Sequence, residues 1–303
     1  GEDTLSLHDA LPISGNITIA DALSLNNTGA QDATLSLIAD NGIIQNAAIT
    51  ATGTKLVNIS MTANGNYQGV NAANANSKGI AVNAGITTNG SITLTGTNQS
   101  SGADGAGAGV YINRQTLNAG TSDVTITGTA TNGSGAFIHG NSVLRGGNIT
   151  INGTANTTAS GSGKGVYLYR DGTTTIAATN NLAIIGTVSG AGTGNGILVN
   201  GGNVGTAVLM TAGGSALLKG IQRGNASNTS SALYLSGFRV NATGDVTLQA
   251  EAASSNSLAI HMNREAGSLN NYDDGWRMQV RSSAGNVMIQ SNQGAVVGAD
   301  VNA

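Results

Sequence analysis

One short phrase returns along this 303-residue chain. It reads GNITINGT at 147–154, GSITLTGT at 90–97 and SDVTITGT at 122–129, with weaker copies NNLAIIGT at 180–187, GDVTLQAE at 244–251 and GNVMIQSN at 285–292. Each copy begins with a small polar residue, in most cases behind a Gly, and then sets Ile, Leu or Val two positions apart. Period two turns one face inward and one outward, which is a strand. A strand that recurs every few tens of residues is the mark of a solenoid. The first apolar residues, Ile92, Val124, Ile149 and Leu182, lie 32, 25 and 33 residues apart. Val208 reads as a degenerate fifth copy, 26 further on, and Val246 and Val287 follow at 38 and 41. The uneven spacing requires turns that accept insertions in surface loops, which costs little closure entropy.

A second repeat lies between the copies of the first. It reads GIAVN at 79–83, GVYIN at 109–113, GAFIH at 135–139, GVYLY at 165–169 and GILVN at 196–200, and continues as ALYLS at 232–236 and AIHMN at 259–263. After each comes a polar turn and one lone apolar residue: Ile86, Leu117, Leu144, Ile176, Val204, Val240, Leu269. One coil is therefore strand, turn, short apolar step, strand, and a loop such as 97–108 or 155–164. This is the logic of an all-β, single-stranded parallel β-helix, in which each coil buries its apolar face on the next. About ten coils rising about 4.8 Å each make a rod about 50 Å long, expected to be right-handed. Ile92, Leu94, Val124, Ile126, Ile149 and Ile151 are its expected core.

Composition narrows the function classes. Only 9% of residues are charged and 3% aromatic, against 39% hydrophobic, with a net charge of −3. That is not the high-charge, low-hydrophobicity balance of disorder. No basic patch exists to replace phosphate counterions, so no nucleic-acid partner is expected. No run of 18 apolar residues is present, so no helical membrane span is expected. With no cysteine, stability has to come from stacking rather than disulfides.

The first fourteen residues, GEDTLSLHDALPIS, differ from the rest and hold the single Pro, Pro12. They look like translated sequencing adaptor, so 1–14 reads as a non-native leader and 15–303 as the repeat domain, a fragment of a longer chain. The stretch GNITIADALSLNNTGAQDATLSLIADNGIIQNAAITATG at 15–53, with the later GNITI strands, resembles the repeat region of filamentous-haemagglutinin-like bacterial exoproteins. The resemblance extends over 15–303 and lies in style and composition. It implies a large surface adhesin exported by two-partner secretion or as an autotransporter, hence an extracellular or cell-surface location. It also leaves the Asn-x-Ser/Thr sequons, Asn16, Asn58, Asn132, Asn148, Asn152, Asn225 and Asn241, as candidate glycan acceptors.

Catalytic chemistry is sparse. GSGKG at 161–165 lacks the spacing of a phosphate loop and reads as an inter-coil loop. GADGAGAG at 102–109 has neither the dinucleotide fingerprint nor the aspartates of calcium-binding coils. His8, His139 and His261 have no carboxylate or Cys at ligand spacing, so no metal and no cofactor are expected. The one dense polar cluster is the insertion REAGSLNNYDDGWRMQVR at 264–281. Glu265, Tyr272, Asp273, Asp274, Trp276 and Arg277 form a candidate glycan-contact loop there. An acid–base pair at Asp273 and Asp274 is the alternative reading, a polysaccharide-degrading β-helix; a charged loop covering the flank is the plainer one.

The middle residue of the second repeat forms a column: Ala81, Tyr111, Phe137, Tyr167, Leu198, Tyr234, His261. Stacked parallel strands set these residues above one another, as a stabilising ladder or as a stripe for a glycan, a neighbouring rod or a receptor on a host cell. A one-residue slip would turn it inward. The next outward position is often Asn (Asn83, Asn113, Asn200, Asn263), which suits a hydrogen-bonded ladder. The outward rank Thr93, Thr125, Thr150 breaks at Ala183 and, after Thr247, again at Met288, which argues against an ice-binding plane. A non-catalytic structural or adhesive segment is the expectation. Unpaired terminal strands and low charge add an expectation of association into fibres, end to end or side by side.

Overall fold

The structure is a computed structural model and describes residues 15–65, 78–99, 107–158, 161–169, 171–200, 207–224, 230–253, 259–262, 278–297 and 300–302. Their strands fall into three parallel sheets of ten, ten and nine strands, and no helix occurs among them. Each coil contributes one strand to each sheet in turn. In one coil these are Ala108–Ile112, Thr116–Asn118 and Val124–Thr131; in the next, Ser134–Ile138, Val143–Gly146 and Ile149–Thr157. We call the sheets first, second and long in that order. This is the parallel β-helix anticipated from the repeats.

Register follows the sequence phrases. Ile92 pairs with Val124, Val124 with Ile149 and Ile149 with Leu182, while Leu94, Ile126, Ile151 and Ile184 form the next inward column. All eight are buried, as are Ile112, Ile138 and Leu168 facing them from the first sheet. Burial of such a side chain contributes about 1.5–3 kcal/mol, so stacking the same residue types coil on coil builds one continuous core.

The small polar residue before each apolar run has a task the repeat alone did not disclose. Asn58, Ser91, Asp123, Asn148 and Asn181 stand in one register. The Asn58 carboxamide oxygen accepts the Ser91 N–H at 2.9 Å, and Asp123 accepts the Asn148 N–H at 2.8 Å. Asn148 then accepts the Asn181 N–H at 3.2 Å. Asn58, Asp123 and Asn148 thus each tie the start of the next long strand to their own, while the Ser91 hydroxyl donates back to Asn58 at 2.9 Å.

The Gly of the GT pair is set by the neck between the long and first sheets. A Cβ on Gly128 would lie 1.9 Å from the carbonyl oxygen of Gly135, and one on Gly153 would lie 1.9 Å from that of Gly165. Two backbone segments of the chain pass here at a distance no side chain tolerates.

Several expectations are corrected. The lone apolar step is itself a strand, for example Thr174–Ala178 around Ile176, so a coil has three sheets rather than two strands and a step. Val208 is not a copy of the long strand. It begins Val208–Ala212 of the second sheet, and the true copy is Ala216–Gln222, where Ala216 pairs with Leu182. Its register was hidden because Ala216 and Lys219 blur the alternation. Val204 and Leu269 lie outside the described residues; Met210 and Val280 pair with Val240 where those two steps were expected. The loop placed at 155–164 is narrower, since strands run to Thr157 and resume at Ser162. At 97–108 the long strand likewise reaches Asn98 and the first sheet resumes at Ala108.

Candidate interaction face

The outward column of the first sheet is built as the alternation requires. Ala81 pairs with Tyr111, Tyr111 with Phe137, Phe137 with Tyr167, Tyr167 with Leu198, Leu198 with Tyr234 and Tyr234 with His261. The flanking residues, such as Val110 and Ile112, are buried, and from Tyr111 onward the column is partly exposed. Ala81 at its base is covered, at 4% exposure.

The rings touch in sequence. Tyr111 and Phe137 have centroids 5.1 Å apart and tilted; Phe137 and Tyr167 stack at 4.8 Å with 21° between planes. Leu198 interrupts the column, and Tyr234 meets His261 edge-on at 4.8 Å. Such ring pairs contribute about 0.5–1.5 kcal/mol beyond area burial.

A second column stands beside the first. Asn83 and Asn113, two of the residues expected in an amide ladder, form one with Asn46, which was not among them: Asn83 Nδ2 donates to Asn46 at 3.0 Å and Asn113 Nδ2 to Asn83 at 3.1 Å. Tyr111 Oη also donates to Asn113, at 3.1 Å. In the next two coils His139 and Tyr169 take the Asn place, so the ladder does not run unbroken from Asn113 to Asn200, and Asn263 lies outside the described residues. His139 lies 5.8 Å from the Phe137 ring and 5.2 Å from that of Tyr169, while Tyr167 and Tyr169 meet edge-on at 5.4 Å. The signal for this second column was in the strings GAFIH and GVYLY, whose last residues are aromatic where the others have Asn.

Charged groups border the rings. Lys78 Nζ lies 5.0 Å from the Tyr111 centroid and Lys164 Nζ 5.7 Å from that of Tyr167, within cation–π range. Lys164 was expected in a loop; the strand Ser162–Tyr169 carries it onto this face instead. Arg114, in the left-handed region at φ 56°, bridges to Asp171 and donates from Nε to His139 Nδ1 at 3.3 Å. That backbone conformation costs a non-glycine residue about 1–2 kcal/mol, so the turn holds the guanidinium against the ring cluster at some strain. Lys78, Arg114 and Asp171 were not singled out by the sequence, and Lys164 was weighed only as part of GSGKG, because their convergence depends on coil register.

Burial tunes these groups. It lowers the Lys78 pKa below its ordinary value and raises that of Tyr111, with Arg114 pulling the phenol the other way. His139 is lowered first by burial and then by the Arg114 charge; Asp171 and the Gly140 backbone oppose this. A neutral imidazole that accepts at Nδ1 fits that balance.

The candidate contact loop, Glu265, Tyr272, Asp273, Asp274, Trp276 and Arg277, lies outside the described residues. Among those that are described, no three His, Asp or Glu residues come together as a metal site. Of the sequons, Asn132 is buried and its carboxamide is engaged by Thr158, whose N–H it accepts at 2.7 Å. No helix of the described residues is long and apolar enough to cross a membrane. Comparisons with protein-family models, curated proteins and solved structures find no match to this chain.

Proposed function

We propose that the chain is a non-catalytic structural and adhesive segment of a secreted bacterial exoprotein, displayed on the cell surface or in an extracellular fibre. The observation that carries this reading is the single unbroken stack, whose register holds from Ile17 to Asn302 around one core. A stack of that kind is a stiff spacer, because strand pairing runs from each coil to the next through the described residues. The aromatic column supplies the contact surface, and the low charge offers little repulsion to rods lying end to end or side by side. The polysaccharide-degrading alternative at 264–281 draws no support from the described residues.

Antibody raised against residues 15–303 tests the reading on cells that express the full-length gene. Intact cells should label at their surface, and electron microscopy should show rods longer than about 50 Å. Labelling confined to the cytosol, or short monodisperse particles only, would overturn it.

A further inference from the structure

We infer that Tyr167 and Tyr169 are a site of oxidative coupling, at which a one-electron oxidant of the haem-peroxidase class, fed by hydrogen peroxide, joins the two phenols through a carbon–carbon bond. The inference goes beyond the adhesive reading and does not depend on it.

Strand geometry brings the pair together. Tyr167 and Tyr169 stand two apart in the strand Ser162–Tyr169, so the pleat turns both outward, while Val166 and Leu168 are buried. Both tyrosines are partly exposed. Their ring centroids lie 5.4 Å apart with 68° between planes, so the edge of one ring meets the other. The carbons at which a phenol couples lie on that edge, beside the hydroxyl-bearing carbon.

The surroundings leave each ring this partner. Phe137 stacks on Tyr167 at 4.8 Å and meets Tyr169 edge-on at 6.1 Å, and His139 lies 5.2 Å from Tyr169. Neither of those rings is a phenol. Tyr111 touches Phe137 and His139, and Tyr234 touches His261. Among the described residues Tyr167 and Tyr169 are therefore the one pair of tyrosines in ring contact; Tyr67 and Tyr272 lie outside them. The chain holds no cysteine, so an oxidative covalent tie within it cannot be a disulfide.

The electrons and atoms balance. Each phenol gives one electron to the oxidant and its hydroxyl proton to water, leaving a radical shared between the oxygen and the carbons ortho to it. The two radicals pair in a bond between one ortho carbon of each ring. The hydrogen on each bonded carbon then moves to its phenol oxygen, which restores both aromatic rings. Hydrogen peroxide takes up the two electrons and two protons and leaves as two waters. Ring contact makes the coupling step unimolecular, so it outruns encounters between dilute chains.

The test treats the folded 303-residue chain, kept dilute, with a haem peroxidase and hydrogen peroxide, while free tyrosine couples in a parallel vessel. Trypsin then releases both residues in one peptide, GVYLYR at 165–170. The expected product is this peptide lighter by two hydrogens, with biphenol fluorescence and resistance to fragmentation between its tyrosines. Tyr167→Phe and Tyr169→Phe should each abolish it, and Tyr234→Phe should leave it unchanged. Circular dichroism and melting of each variant confirm the fold. Three outcomes overturn the proposal: an unaltered peptide from folded protein, a main product tying either residue to another tyrosine or to a second chain, or an equal yield in urea, which would assign the coupling to sequence spacing rather than to the fold. Surface labelling and rod length are read separately, so failure here leaves the adhesive reading to its own experiment.

Discussion

The outer face of the first sheet and the outer face of the long sheet are made by the same operation and carry opposite chemistry. In both, identical positions of successive coils stand in register, and in both the inward columns are Ile, Leu and Val. Outside, the long sheet shows Thr93, Thr95 and Thr97 in one coil and Thr125, Thr127 and Thr129 in the next, all partly exposed. Those ranks fade through Thr150, Asn152 and Thr154 to Ala183 and Ile185, then Leu217. The same coils of the first sheet show Tyr111, Phe137 and Tyr167 bordered by lysines. Threonine needs no further explanation: a β-branched side chain suits a pleated surface and its hydroxyl is content in water. An aromatic ladder with cations beside it keeps apolar area half in solvent, where a strand does not require it. The inside therefore states the fold, and the difference between the two outsides is what supports placing the proposed contact surface on the first sheet.

The strongest way to break the comparison is at the neck that joins the two faces. Gly128→Val sets a branched side chain where a Cβ alone already meets the Gly135 carbonyl oxygen at 1.9 Å. Both sheets should part locally, at a cost of about 3 kcal/mol or more in urea denaturation. Gly120, a turn glycine with φ 59° and open space around its Cβ position, is the control. Gly120→Ala should cost only about 1 kcal/mol, from backbone strain. Equal losses at the two positions would show that the neck is not close-packed.

The faces themselves separate at the next level. Phe137→Ala removes ring contacts to Tyr111 and Tyr167 and should cost about 1–3 kcal/mol. Thr127→Ala, at a central position of the threonine ranks, should stay within about 0.5 kcal/mol. Hydrogen exchange should place the Phe137→Ala loss in the coils next to it, as expected of a stack in which each coil contacts only its neighbours. If Thr127→Ala cost as much as Phe137→Ala, the contrast between the faces would be decorative.

The amide ladder gives a smaller effect. Asn83 donates to Asn46 and accepts from Asn113, so Asn83→Ala forfeits two amide hydrogen bonds that are partly open to water. About 1 kcal/mol is expected, measured by the same urea curves. A loss near zero would show that water replaces the ladder fully.

What could be read from sequence follows from what is periodic. Ile92, Leu94, Val124 and Ile126 declared the core because burial acts identically in every coil. The column from Tyr111 to His261 was legible for the same reason, since register carries one residue onto the next. Val208 was misassigned because the long strand at Ala216 has a weak apolar start, while Val208–Ala212 alternates like a copy. The cations escaped because they are not periodic. Lys78 and Lys164 are three coils apart, and Arg114 meets Asp171 across two coils through a left-handed turn. Such contacts depend on insertion lengths that only the folded register resolves. Gly128 was visible as part of GT, but its reason is the carbonyl of Gly135, seven residues on and across the neck.

The smallest effect separates the faces by proton rather than by contact. His139 stands in the aromatic face, its pKa held below the ordinary imidazole value by burial and by Arg114. The folded protein thus takes up a proton less readily than the unfolded chain, whose histidine titrates near 6.5. Above that pH both states are neutral and the full stability is present. As pH falls below about 6.5 the unfolded state gains protons first, so stability drops until the folded pKa has been passed. Protonation also removes the Nδ1 lone pair that accepts from Arg114 Nε, so the loss should centre on the coils of Tyr111, Phe137 and Tyr169. His139→Gln should flatten this part of the profile: wild type minus variant melting temperature should narrow between about pH 7 and 5. The threonine ranks of the same coils hold no titratable group, and their hydrogen exchange, corrected for intrinsic rate, should stay level across that window. A profile that His139→Gln leaves unaltered would mean the imidazole is as well solvated in the fold as outside it, and the ring face less buried than its geometry indicates.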